Sequence, residues 1–121
     1  MPLIKSFEDL LIWKRGRSLS TAVYRASSRD LFVRDFALRD QLRRAVLSVP
    51  LNIAEGFGRR SKREFRRFLL IAHGSLAEVQ TCLYIALDLQ YLEQDEFTLL
   101  YKESEELSRM ISSLVGRLGS A

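Results

Sequence analysis

The chain's absences narrow its chemistry first. Cys82 is the single cysteine in 121 residues, so no internal disulfide can form, and with one histidine and no Cys/His cluster no structural zinc site is expected. Only two prolines are present, which fits a globular chain better than a disordered or fibrous one. The opening residues Met1-Pro2-Leu3-Ile4-Lys5-Ser6 lack the apolar core of a signal peptide. No uninterrupted apolar run approaches the ~18 residues that span a bilayer. The expectation is a cytoplasmic chain in a reducing compartment, with no membrane partner.

Catalytic signatures are missing as well. Di-iron bundles need E-x-x-H on two helices, and the lone His73 has Leu70 three positions before it. Neither a G-x-S-x-G elbow, a G-x-x-x-x-G-K-[ST] loop nor a G-x-G-x-x-G turn occurs, and Gly56-Phe57-Gly58 is too short to stand for one. His73 lies outside the apolar stripes described below, with no carboxylate spaced to orient it, and reads as a surface residue. Cys82 reads as packing. No enzyme activity, cofactor or metal is expected.

What the chain does have is helical periodicity and an uneven charge. Residues 1–74 hold 16 Lys/Arg against 7 Asp/Glu, while residues 75–121 hold 3 against 8. A basic half beside an acidic half suits either a polyanion ligand or complementary faces between subunits. Alternation at period 2 is never sustained, so the pattern predicts an all-α fold, an antiparallel up-and-down four-helix bundle forming one domain over 1–121.

The first helix is expected from about Phe7, capped by Ser6, to Ser27, burying Leu10, Leu11, Leu19, Val23 and Ala26. Gly16 either weakens it or admits a close neighbour. Residues 28–35 form a connection of undefined conformation. The second helix begins near Asp35 with a core stripe of Leu38, Leu42, Ala45, Val49, Ile53 and Gly56. Pro50 falls inside that stripe; since the pattern continues in phase to Phe57, a kink is favoured over a stop, with Gly58 as the terminator.

Ser61 and Glu64 form an S-x-x-E capping box that opens a third helix, Lys62 to Gln90. Phe65, Phe68, Leu69, Ala72, Leu76, Val79, Leu83 and Ala86 line one face. Ile71, Ser75, Cys82, Ile85 and Leu89 line the face beside it, and together the two cover roughly 200° of the circumference, about twice what a surface helix buries. The surplus implies a second partner, most simply another copy of the chain. A fourth helix is expected from about Asp95 to Leu118, with Leu100, Leu107, Met110, Ile111, Leu114 and Leu118 inward.

Two constellations stand out on and after the second helix. Gln41, Arg44, Ser48, Asn52 and Glu55 recur at helical spacing and form a polar seam beside the core stripe. It reads either as a solvated helix edge or as a polar network at a helix or subunit contact, and the poor helix formers Ser and Asn favour the network. Next, Arg59, Arg60, Lys62, Arg63, Arg66 and Arg67 place six cations in nine residues. A solubilising turn is the plain reading; a site for nucleic acid or another polyanion is the sharper one, because arginine forks bind phosphate and crowded like charges are relieved by an anion. Arg39, Arg43, Lys14, Arg15 and Arg17 would widen the patch if the first two helices are adjacent.

The chain also resembles the bacterial four-helix-bundle proteins first noted as products of intervening sequences in 23S ribosomal RNA genes. The resemblance is carried by Phe7-Glu8-Asp9-Leu10 with Trp13, by Gln41-Leu42-Arg43-Arg44-Ala45, and by Ser48-Val49-Pro50 with Asn52-Ile53-Ala54-Glu55-Gly56 and Gly58-Arg59. Phe65, Phe68-Leu69, Ile71-Ala72, Gly74-Ser75-Leu76 and Glu78 extend it. The family tends to show Phe-Pro and then Tyr-Gly before the second helix, where this chain has Phe32-Val33 and Phe36-Ala37. The resemblance implies a homopentamer, and relatives that serve as accessory proteins of diversity-generating retroelements form basic pentameric barrels that associate with a reverse transcriptase and nucleic acid. The leading expectation is a non-enzymatic oligomer binding RNA or DNA backbone at residues 59–67. The alternative is an adaptor or scaffold that binds another protein, for example a nucleic-acid-processing enzyme.

Overall fold

The computed structural model describes residues 3–119; Met1 and Pro2, at the start of the stretch that lacks a signal-peptide core, lie outside the described residues. Four helices form, α1 (Leu11–Ala26), α2 (Phe36–Gly58), α3 (Lys62–Asp88) and α4 (Gln94–Leu118), with no strand among the described residues. Each packs on its two neighbours in cyclic order, α4 closing back on α1. Their register is antiparallel: Gly16 faces Pro50, Ser20 reaches Val46 and Ser27 meets Arg43, so positions rise on α1 as they fall on α2. The pairs Ser48 with Ser75 and Gln80 with Ser104 continue that order around the bundle.

Leu19, Val23, Leu42, Val46, Val49, Ile53, Leu69, Leu76, Leu83, Leu107 and Ile111 fill the centre and are almost wholly removed from water. Each such burial contributes about 1.5–3 kcal/mol before chain entropy is charged against it.

α1 starts later than its pattern suggests. Ser6 opens a short 3-10 turn, Phe7–Asp9, in which the Asp9 carboxylate accepts from the Lys5 and Ser6 amides at 3.0 and 3.1 Å. Leu10 is extended (φ −77°, ψ 125°), and this break shifts the helical phase. Leu11, expected in the core, is 58% exposed, and Ile12 takes the buried place. Gly16 serves close approach: it is buried, and a Cβ there would lie 3.4 Å from the Pro50 ring.

α2 passes through Pro50 without stopping. Proline has no N–H for the Val46 carbonyl one turn back. The Ser20 hydroxyl from α1 lies 3.2 Å from that carbonyl and 2.8 Å from the Gly16 carbonyl, sharing its proton between them. A neighbouring helix thus supplies the donor that proline removes. Ser20→Ala leaves a buried carbonyl without a donor, and we expect a loss of about 1–2 kcal/mol in urea unfolding with helix content retained.

The connection between α1 and α2 is tied down at both ends. Phe32, in a second 3-10 turn (Phe32–Arg34), is 1% exposed and stacks on Tyr91 at 5.3 Å. The Tyr91 hydroxyl donates to one Asp35 oxygen (3.0 Å), while the other accepts from the Leu38 amide (3.1 Å) and caps α2. Arg43 reaches back to the end of α1, donating to Ser27 Oγ at 2.9 Å and to the Tyr24 carbonyl at 3.3 Å while its guanidinium lies over the Tyr24 ring.

α3 ends at Asp88 rather than Gln90, and its first apolar stripe is buried apart from half-buried Phe65. The second stripe divides. Ser75 and Cys82 are buried, whereas Ile71, Ile85 and Leu89 are 42–49% exposed. Although no unbroken apolar run is long, α3 taken as a whole is long and apolar enough to cross a bilayer. Serving two helical neighbours accounts for much of that composition. Along α4, Leu100, Leu107 and Ile111 are buried as expected, Met110, Leu114 and Leu118 are half-buried, and Phe97, Ser104 and Val115 join the core outside the expected stripe. Ser104 is accommodated because it accepts from Gln80 (3.2 Å) and donates to the Tyr101 carbonyl (2.6 Å).

Cys82 is 6% exposed, and burial, with the nearby Glu78 charge adding to it, pushes its thiol pKa up. We expect slow reaction with an aromatic disulfide reagent at pH 8, accelerating to the rate of a free thiol once the chain is unfolded in urea.

Candidate nucleic-acid interface

The arginine-rich turn is built by a close crossing just before it. α2 reaches α3 at Gly56, where a Cβ would fall 2.6 Å from Phe68 Cβ, so only glycine lets the two helices converge there. α2 ends at Gly58, the expected terminator, but Gly58 keeps helical backbone and the left-handed residue is Arg60, at φ 55°. Glycine adopts that conformation at lower cost than an L-residue with a side chain. Ser61 then starts α3 by accepting from the Glu64 amide at 3.3 Å. Only half of the expected capping box forms, because the Glu64 carboxylate is held by Arg67 at 3.1 and 3.2 Å instead of returning to Ser61. That bidentate bond from Arg67, with Arg59 and Arg63 nearby, keeps the Glu64 carboxyl below its ordinary pKa.

The six cations divide into two groups. Arg59 pairs with Glu55 at 3.1 Å and Arg67 with Glu64, and both guanidinium groups lie over the Phe68 ring, 5.2 and 4.5 Å from its centre. These two brace the turn. Arg60, Lys62, Arg63 and Arg66 form no ion pair with any described residue. Arg66 is partly buried, and its Nε has no hydrogen-bond partner.

Antiparallel packing gathers further charge at this end. Residues 5–17, 55–67 and 109–117, which share it, carry 12 Lys/Arg and 4 Asp/Glu, whereas residues 24–44 and 84–98 at the other end carry 6 and 7. The division of charge along the sequence thus reappears as a basic end at the α2–α3 turn, although both ends draw on residues of the basic half. Lys14, Arg15 and Arg17 lie toward the basic end, although Arg15 is paired with Glu106 at 2.6 Å. Arg39 and Arg43 do not widen the patch: they sit at the opposite end, Arg39 beside Asp40 and Arg43 on the end of α1. Arg109 and Arg117 do reach the basic end, in addition to the cations that the sequence pattern points to. The up-and-down order is the signal that places them, since the last turns of α4 must return beside the first turn of α1.

The polar seam breaks into three parts. Arg44 donates to Gln41 (3.2 Å) at one exposed end, and Glu55 pairs with Arg59 at the other. Between them Asn52 donates to the Ser48 carbonyl and hydroxyl (2.7 and 2.9 Å), and Ser48 Oγ meets Ser75 Oγ across the α2–α3 contact at 2.8 Å. Only this middle part is a network between helices; the flanks are solvated pairs of the kind worth a few tenths of a kcal/mol at most.

A model of the 23S rRNA-intervening sequence proteins matches residues 8–113. The chain belongs to that family. Among solved structures, a protein of unknown function from the S23 ribosomal protein family of Bacteroides thetaiotaomicron has a similar fold, with a TM-score of 0.80 at 18% identity over 87% of this chain and 98% of that one. No curated protein sequence matches. For this member of the 23S rRNA-intervening sequence family, the likeness establishes the bundle, and the 8–113 match takes in both the seam and the whole arginine turn.

Proposed function

We propose that this protein is a non-catalytic, self-associating bundle that binds the phosphate backbone of RNA or DNA through its α2–α3 turn. The observation that carries the reading is the group Arg60, Lys62, Arg63 and Arg66, four cations without ion-pair partners among the described residues, in the α2–α3 turn and at the start of α3. Their repulsion is relieved by an anion, and Arg60 keeps a side chain in a backbone conformation that glycine would occupy more cheaply. Contacts of this type follow charge and spacing and are insensitive to base sequence. Self-association is supported by exposed apolar residues: Ile71 and Ile85 on α3, Leu89 just beyond it, and Leu51, 64% exposed, on α2. Assembly as a ring of five, which the family resemblance implies, would bring about 20 unpaired turn cations into one particle and multiply weak contacts.

Titrating labelled hairpin RNA and duplex DNA with the protein across a salt series, beside light scattering of the free protein, tests both parts. We expect affinity for either probe to fall steeply and linearly in log–log form as salt rises, and a mass several times that of one chain. Absence of binding at low salt would overturn the ligand, and a monomer would overturn the assembly.

A further inference from the structure

We propose that the groove between the first turn of α1 and the last turns of α4 is a docking site for an acidic amphipathic helix of a partner protein. The groove encloses about 490 Å³ over a floor of Leu10, Leu11, Ile12, Met110 and Leu114. Arg109 and Arg117 stand on its rim, and no carboxylate lines it. Neither arginine forms an ion pair with a described residue. About one turn further along the seam the Arg15–Glu106 bridge joins the two helices, so the opening faces the basic end.

The spacing of the charges selects the occupant. Arg109 and Arg117 are eight positions apart on α4, about 12 Å along its axis. An anion with one headgroup, such as a fatty acid, engages only one of them. A helix with carboxylates at i and i+7 engages both, and its residues at i+3 and i+4 then project from the same face into the apolar floor. Recognition would follow the helix-in-groove mode, with apolar side chains as anchors and the ion pairs fixing register. This surface is separate from Arg60, Lys62, Arg63 and Arg66 and does not depend on the nucleic-acid reading.

The test uses the full chain and a fluorescein-labelled helical peptide of about 15 residues, with Glu at i and i+7 bracketing Leu at i+3 and i+4. Two controls carry Gln for both Glu or Ser for both Leu. Anisotropy is expected to show saturable binding of the Glu/Leu peptide and at least about tenfold weaker binding of either control. Leu11→Glu, at an exposed position, and the pair Arg109→Glu with Arg117→Glu should each weaken binding by a similar factor while circular dichroism stays unchanged. Replacing Arg60, Arg63 and Arg66 with Glu should leave peptide binding intact. The proposal is overturned by absence of saturable binding, by equal binding of the Gln control, or by indifference to Leu11→Glu. It is equally overturned if the peptide is lost with the turn variant, or if Leu11→Glu lowers the mass of the free protein, which would assign the groove to a second copy.

Discussion

Changing Arg60, Arg63 and Arg66 together to glutamate is expected to weaken binding of hairpin RNA and duplex DNA on the order of a hundredfold at ~0.1 M salt, while the thermal midpoint stays the same or rises. Both halves of this expectation come from the same geometry. None of the three forms an ion pair with a described residue, Arg63 contributing only its field at Glu64, and the retained pairs Arg59–Glu55 and Arg67–Glu64 still brace the turn on Phe68. Six like charges in nine residues also repel, so reversing three of them relieves the turn in the free protein. Glutamines at the same positions should remove the phosphate pairings without adding repulsion and lower the log–log salt slope by about 0.9 for each phosphate that a chain no longer neutralises. Reversing Arg59 and Arg67 is the contrasting case: it breaks two ion pairs and lifts two guanidinium groups from the Phe68 ring, so stability should fall together with affinity. Equal affinity for the triple variant and the parent would remove the turn from the ligand's path.

The helices are legible in the sequence because their apolar positions recur for many turns, and the pattern misleads where a local device interrupts that recurrence. Periodicity puts Leu11 in the core because the 3-10 turn at Phe7–Asp9 and the extended Leu10, which reset the phase, have no periodic signature. It keeps Pro50 inside α2, as the structure does, but the reason proline is tolerated lies in Ser20, thirty residues earlier, a pairing visible only once α1 and α2 are side by side. Gly58 marks the end of α2 correctly, but the left-handed position that glycine usually holds there belongs to Arg60. The polar seam shows its alignment in the sequence but not its partners. Ser75 sits in an apolar stripe of α3, and no spacing rule on α2 connects it to Ser48. The cation cluster can be counted from the chain; which of its members are spent on Glu55, Glu64 and Phe68 depends on rotamers that periodicity does not reach.

Gly56→Ala should destabilise the bundle by about 1–3 kcal/mol, the cost of overpacking a contact that cannot yield by turning a side chain. The new methyl would start 2.6 Å from Phe68 Cβ, an atom fixed by the α3 backbone, with Phe65 Cδ1 and Phe68 Cγ at 3.3 Å. Relief therefore requires α2 and α3 to move apart. Gly58 and Gly74 provide the comparison, since both lie in helices and a Cβ at either meets nothing within 4 Å. Alanine at Gly74, inside α3, should raise stability by about 0.5–1 kcal/mol through helix propensity alone, with a smaller gain at Gly58, the last residue of α2. Urea unfolding of the three variants separates the readings: a uniform gain would show that Gly56 is ordinary helical glycine. The displacement at Gly56 also has a functional consequence, because Phe68 is the surface on which Arg59 and Arg67 rest. Moving it loosens both guanidinium groups and, through the turn, the spacing of Arg60, Arg63 and Arg66. Gly56→Ala should therefore weaken nucleic-acid binding together with stability, whereas the triple glutamate variant weakens binding alone.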